Sequence, residues 1–210
     1  MKRAFLSALV FGSAFILNSG LAQAISLDFA PTTQSVTLGG PTTVALRISG
    51  LGDLTAPSLG VFDLSVGFDP TILSFSSVAY GDPLLGDQLD LFGLGGFTVT
   101  TSGAGVVNLF ELSFDSAADL NALQAGEFTL ATLTFYTLST GTSPLTFAVN
   151  ALGDAEGAAL TATLGAGSVA VASAAVPEPG TLLLLGSGLA WMFFIGYRKV
   201  QAMGDNLERY

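Results

Sequence analysis

Between Ile25 and Ala172 apolar and polar residues alternate in short runs. From Thr42 to Ser49, Val44, Leu46 and Ile48 fall on one face and Thr43, Ala45, Arg47 and Ser49 on the other. From Val61 to Phe68 the same period places Phe62, Leu64, Val66 and Phe68 opposite Asp63, Ser65 and Gly67. A repeat of two is the pattern of half-buried antiparallel strands, whose successive side chains point to opposite faces. Further strands are predicted at Ile25–Phe29, Ser35–Leu38, Ile72–Val78, Phe97–Thr101, Val106–Ser113, Phe128–Leu138, Leu145–Ala151, Leu160–Leu164 and Ser168–Ala172. Joints rich in Gly, Pro and Asp separate them, among them Gly39-Gly40-Pro41, Asp69-Pro70 and Gly103-Ala104-Gly105, residues that turns require. Many short strands spaced this way predict an all-β fold, an antiparallel β-sandwich. One stretch departs from the period: in Asp115–Gly126, Ser116 is placed to cap a short helix carrying Leu120 and Leu123, which Gly126 would stop.

Both ends of the chain carry apolar runs of another kind. At the start, Lys2-Arg3 precede the apolar stretch Ala4–Leu17, and Ala22-Gln23-Ala24 offers small residues either side of a cleavage point. This order is that of a secretion signal occupying residues 1–24, cut after Ala24. Near the other end, residues 181–197 contain no charge and are followed by Arg198-Lys199. As a helix those residues span about 26 Å at ~1.5 Å each, the short end of what crosses a bilayer core. With the N-terminus exported, the basic pair falls on the cytoplasmic side, in agreement with the positive-inside rule. The organisation read from the sequence is therefore 1–24 signal peptide, 25–172 sandwich domain, 173–180 linker, 181–197 transmembrane helix, and 198–210 basic flank and cytoplasmic tail.

Pro177-Glu178-Pro179-Gly180, the apolar helix and Arg198-Lys199, in that order, resemble the PEP-CTERM sorting signal of Gram-negative bacteria. In this chain eleven residues, Val200–Tyr210, follow the basic pair, more than the family's tail usually carries. The resemblance implies exosortase as a partner, a membrane protease-transpeptidase that removes the helix and releases or re-anchors the protein. It also implies export through the inner membrane, at least transient membrane anchoring, and a final place at the cell surface or in the extracellular matrix. The plainer alternative is a permanent C-terminal anchor.

Within the exported region, the run Gly60–Phe75, an alternating strand, the Asp69-Pro70 turn and then Leu73-x-Phe75, resembles the second quarter of cohesin-type domains. The short helix, Gly126 and Ala131-Thr132-Leu133-Thr134-Phe135 are similar to the later part of the same fold. This likeness implies a nine-stranded, jelly-roll-type sandwich. It does not carry a partner with it, because the chain contains no dockerin-like calcium repeat and cohesin-like domains also occur beside PEP-CTERM tails without known dockerins.

Composition narrows the chemistry. The chain has 210 residues, no Cys and no His, which removes disulfides, thiol nucleophiles and the commonest general base. From Ile25 to Ala175 thirteen carboxylates face a single Arg47, so the exported region repels phosphate backbones and nucleic acid is excluded as a partner. The Ser-His-Asp type of triad is absent, and the only Lys beyond the signal, Lys199, follows the apolar span. Paired carboxylates remain. Asp63 and Asp69 stand about 20 Å apart if the strand is extended, against the roughly 5–10 Å of glycosidase pairs. Asp119 and Glu127 show no sign of pairing. The protein is therefore read as a non-enzyme with no required cofactor.

No metal centre is assigned. Asp82, Asp87 and Asp90 place three carboxylates in a Gly-rich loop, the oxygen chemistry that calcium takes, but their spacing fits no EF-hand register, and a solvated loop is the plainer reading. The next residues, Leu91–Gly96, are apolar for a loop; they either tuck beneath the sandwich or form a patch that faces a partner. Two functional classes follow. One is a non-catalytic surface or matrix protein associated with the envelope or exopolysaccharide. The other is a specific protein- or glycan-binding module, cohesin-like or lectin-like, displayed by a permanent membrane anchor. Outward positions rich in Ser, Thr, Ala and Asp, with the lone Trp191 in the apolar tail, favour the first.

Overall fold

The computed structural model describes residues 24–174, 180 and 183–195. Lys2, Arg3 and Ala22 of the expected signal, Pro177-Glu178-Pro179 of the expected sorting motif, and the Arg198-Lys199 flank lie outside the described residues. The chain divides into two units, Met1–Val171 and Ala172–Tyr210.

The first unit is the expected sandwich. Its strands are β1 (Ser26–Ala30), β2 (Thr33–Thr37), β3 (Pro41–Ser49), β4 (Leu59–Gly67), β5 (Leu73–Tyr80), β6 (Phe97–Gly103), β7 (Val106–Leu112), β8 (Phe128–Thr137), β9 (Gly141–Asp154), β10 (Thr163–Leu164) and β11 (Gly167–Ala172), with helix α1 (Ala117–Leu123) between β7 and β8. One sheet has the order β10-β1-β3-β8-β5 and the other β2-β11-β9-β4-β7-β6. The alternation read from the sequence sets the core. Val44, Leu46 and Ile48 of β3, Phe62, Leu64 and Val66 of β4, and Leu130, Leu133 and Phe135 of β8 all turn inward and are buried. Phe29 and Phe147 stack between the sheets with ring centroids 4.0 Å apart, and Phe68 meets Phe135 edge-on at 5.1 Å. Such offset and edge-on contacts add to the burial of the rings themselves.

Eleven strands are seen among the described residues, where the resemblance implied nine. Pro31 accounts for part of the difference. It has no N–H to give a ladder and interrupts the first strand, so β1 pairs with β3 in one sheet while β2 joins β11 in the other. The expected strand at Leu160–Leu164 shrinks to the two residues of β10, which pair in parallel with β1 through Ser26 and Leu27; the pairings β1–β3, β3–β8, β5–β8, β4–β7, β4–β9, β6–β7 and β9–β11 are antiparallel.

Helix α1 begins as expected: Ser116 Oγ accepts the Asp119 amide at 3.2 Å. Its end and one of its faces differ from expectation. Leu120 is buried but Leu123 is 49% exposed, because so short a helix, seven residues long, is anchored by one side chain. The stop is Gln124, already extended at φ −73°, ψ 136°, not Gly126. Gln124 leaves the helix because its side chain is drawn into the sandwich, as described below.

In the second unit, residues 183–195 form a helix, α2, whose Leu184 amide donates to Gly180 O at 2.7 Å. All its described residues are exposed, including Leu183, Trp191 and Phe193. Among the described residues no helix is long and apolar enough to cross a membrane. The ends of the expected span, 181–182 and 196–197, lie outside the described residues.

Candidate binding face and a buried carboxylate

The outer surface of β9-β4-β7-β6 carries the most organised constellation of side chains. Strand β4 turns Phe62, Leu64 and Val66 inward, so Asp63 and Ser65 must point out. Opposite them the β7 register pairs Asp63 with Phe110 and Ser65 with Asn108. On the other flank the β4–β9 ladder shifts between Asp63 and Leu64, leaving Asn150 without a strand partner. A bulge of this kind re-aims a side chain, and Asn150 reaches across to Asp63.

The result is a compact polar centre. Asn108 Nδ2 donates to Asp63 Oδ1 at 2.6 Å, and Asn150 Nδ2 donates to the same oxygen at 2.9 Å. Asn150 also donates to Ser65 Oγ at 3.1 Å. Asp63 Oδ2 accepts no hydrogen bond among the described residues. Beside this centre runs an apolar stripe. Phe97 on β6 lies edge-on to Phe110 on β7 at 5.9 Å, and Val99 and Leu112 extend it. Phe97 is 52% exposed. The stripe and the carboxylate together make a face able to bury apolar area while accepting one directional hydrogen bond, the division of labour seen at protein interfaces.

The edge of this face is braced from the other sheet. Tyr80 of β5 donates its hydroxyl to Val99 O at 2.9 Å and contacts Thr100 Oγ1 at the same distance. Burial raises the Tyr80 phenol above its ordinary range, so it stays a donor.

At the end of the sandwich the loop between β5 and β6 folds back over β7. The three aspartates singled out in it do not form one set. Asp82 accepts amides from Leu84, Leu85 and Thr129. Burial opposes its ionisation, but those donors outweigh burial and hold the carboxyl at about 2. Asp87 accepts from Leu89, and Asp90 from Leu94 and Gly95. Among the described residues no three acidic side chains are gathered as a ready-made metal set. The apolar run Leu91–Gly96 does not tuck beneath the sandwich: none of its residues is buried, and Phe92 and Leu94 are exposed, whereas Leu89 just before it is buried.

Sequence reasoning passed over Glu111. It occupies an inward position of β7, in step with the buried Val107 and Leu109, and is 1% exposed. Neither carboxylate oxygen has a hydrogen-bond partner among the described residues. Burial first, then contact with the Asp87 carboxylate and the charge of Asp90, push its carboxyl up to about 9. The signal was in the alternation itself: a Glu standing where the period of two demands an apolar residue.

The carboxylates considered for catalysis are committed elsewhere. Asp69 accepts both the amide and the hydroxyl of Thr71, bracing the Asp-Pro turn. Asp119 closes the cap of α1 with Ser116, and Glu127 lies 3.9 Å from Arg47 on the surface.

Comparison with known proteins agrees with this architecture. Residues 175–199 match the PEP-CTERM protein-sorting motif. No curated protein matches the chain. Among solved structures, a non-cellulosomal cohesin from the archaeon Archaeoglobus fulgidus is 15% identical with a TM-score of 0.53, over 71% of this chain and 92% of that one. CaCohA2 from Clostridium acetobutylicum is 17% identical with a TM-score of 0.55, over 74% and 95%. A chain of a type I cohesin–dockerin complex from Clostridium thermocellum is 14% identical with a TM-score of 0.56, over 71% and 99%. The fold is thus that of a cohesin-like β-sandwich. In this chain it precedes a PEP-CTERM sorting motif.

Proposed function

We propose that this chain is an exported, non-catalytic surface protein of a Gram-negative bacterium, sorted by exosortase through its tail and presenting the β9-β4-β7-β6 face to a protein partner. The sorting part rests on the motif at 175–199, with Pro177, Glu178, Pro179 and Gly180 as the recognised segment and Arg198-Lys199 as the stop flank. In this reading the signal peptide is cut between Ala24 and Ile25, and 25–172 is the displayed domain.

One observation carries the binding part: Asp63, clamped on one oxygen by Asn108 and Asn150, beside the exposed Phe97–Phe110 stripe. Two asparagines hold the carboxylate in one orientation before any partner arrives, which lowers the ordering cost of association. Solved relatives of this fold occur in cohesin–dockerin complexes, which supports a protein as the partner class. Exopolysaccharide is then the surrounding of the protein at the surface, not the ligand of this face.

The test is saturable binding of the purified protein to a component of its host's envelope, competed by unlabelled protein and weakened by Asp63→Ala and by Phe97→Ser. Binding that both variants leave unchanged, or that follows purified exopolysaccharide alone, contradicts the assignment of this face.

A further inference from the structure

Glu111 is buried in a region without positive charge. Arg47 is the only cationic residue between Ile25 and Ala175, and it sits on the opposite sheet beside Glu127. The titratable groups that face Glu111 are Asp87, Asp90 and the Tyr80 phenol, none of them cationic. Both oxygens of Glu111 lack a donor. A carboxylate in such a place must be neutralised by something the side chains around it do not supply.

We propose that Glu111 and Asp87, with Asp90 adjacent, bind a divalent cation of the calcium class beneath the β5–β6 loop. Glu111 offers two oxygens that no donor engages, with the Asp87 carboxylate within hydrogen-bond reach. Asp87 engages only Oδ1, with the Leu89 amide at 3.0 Å, which leaves Oδ2. Asp90 has its oxygens on the amides of Leu94 and Gly95 and contributes charge. The backbone also passes close by: a Cβ added at Gly96 would come within 4.0 Å of Glu111 Oε1. Calcium takes its remaining oxygens from backbone carbonyls and water, so three gathered carboxylates are not required. Asp82 has no part in the site, because its oxygens are spent on three amides.

The rival with the same geometry is a single proton shared between Glu111 and Asp87. A titration separates them. The full-length protein, stripped with chelator, is titrated with calcium chloride, and with magnesium chloride for comparison, by calorimetry and thermal melting. The cation site predicts one calcium per chain, with a dissociation constant on the order of 10⁻⁴ to 10⁻³ M, the range of extracellular modules, and a melting temperature that rises with calcium. Glu111→Gln, which keeps the shape of the neutral side chain and so folds, loses the heat and the shift; Asp87→Asn weakens both. No calcium-dependent heat or shift up to about 10 mM, well above that range, or an undiminished response in Glu111→Gln, overturns the proposal and leaves the shared proton.

Discussion

Gln124 binds Leu59 on both sides of its peptide. Its Oε1 accepts the Leu59 amide at 2.6 Å, and its Nε2 donates to the Leu59 carbonyl at 3.0 Å. The side-chain amide thus substitutes for a strand partner at the start of β4. Nε2 also donates to Gln88 O at 2.8 Å, and Gln88 Oε1 accepts the Ala125 amide at 3.0 Å. One fully buried side chain joins the exit of α1, the first residue of β4 and the β5–β6 loop.

Removing that amide leaves buried backbone groups without partners. Each such group costs about 1–3 kcal/mol, so Gln124→Leu is expected to lose about 3 kcal/mol or more in urea unfolding. Gln124→Glu is expected to fare little better, since a carboxylate accepts from Leu59 N–H but donates to neither carbonyl. By contrast Leu123→Ala, one residue earlier and exposed, should cost well under about 1 kcal/mol beyond any propensity change.

Asp82 gives the loop an acid limit. Its carboxyl is held at about 2, below the ordinary 3.8. Between those values the unfolded chain binds more protons than the folded one, so stability rises with pH there. The contribution is complete above about pH 4 and is lost as pH falls through about 2. Asp82→Asn should lower stability at pH 7 by about 1–3 kcal/mol, the range of lost charge-assisted bonds, and narrow the gap from wild type toward pH 2. Chemical denaturation of both proteins from pH 2 to 6 checks this; a gap that stays constant would mean the amide bonds to Asp82 do not depend on its charge.

The proposed binding face predicts a sharp division between the two sheets. Asp63→Ala and Phe97→Ser should each weaken partner binding about tenfold or more, as interface anchors do, with little change in melting temperature. Tyr136→Ala, an exposed position on the opposite sheet, should leave affinity unaltered. Equal losses from all three would point to a general destabilisation.

Alternation was legible wherever a strand buries one face, which is why β3, β4 and the centre of β8 read directly from Val44, Phe62 and Leu133. Partner order was not, because pairing depends on long-range contacts that local period does not encode: nothing in Pro31 says that the chain on either side of it joins different sheets. Glu111 escaped notice for the complementary reason, since a period is read from the apolar residues that obey it. Gln124 was invisible as a helix stop because its reason to leave the helix, Leu59, lies 65 residues away. The polar centre was half visible. Asp63 and Ser65 were correctly set outward, but Asn108 and Asn150 reach them only through the β7 register and the bulge in β9.

The proposed display of the sandwich at the cell surface depends on the chain being exported and sorted by its tail. Intact mass of the protein recovered from its native host, compared between membrane and released fractions, tests this most directly. A species that begins at Ile25 and ends near Pro179 is the expected result, for it records both signal cleavage and removal of the apolar tail. A species that begins at Ile25 but still carries Arg198 to Tyr210 in every fraction would contradict sorting by exosortase and make the helix a permanent anchor.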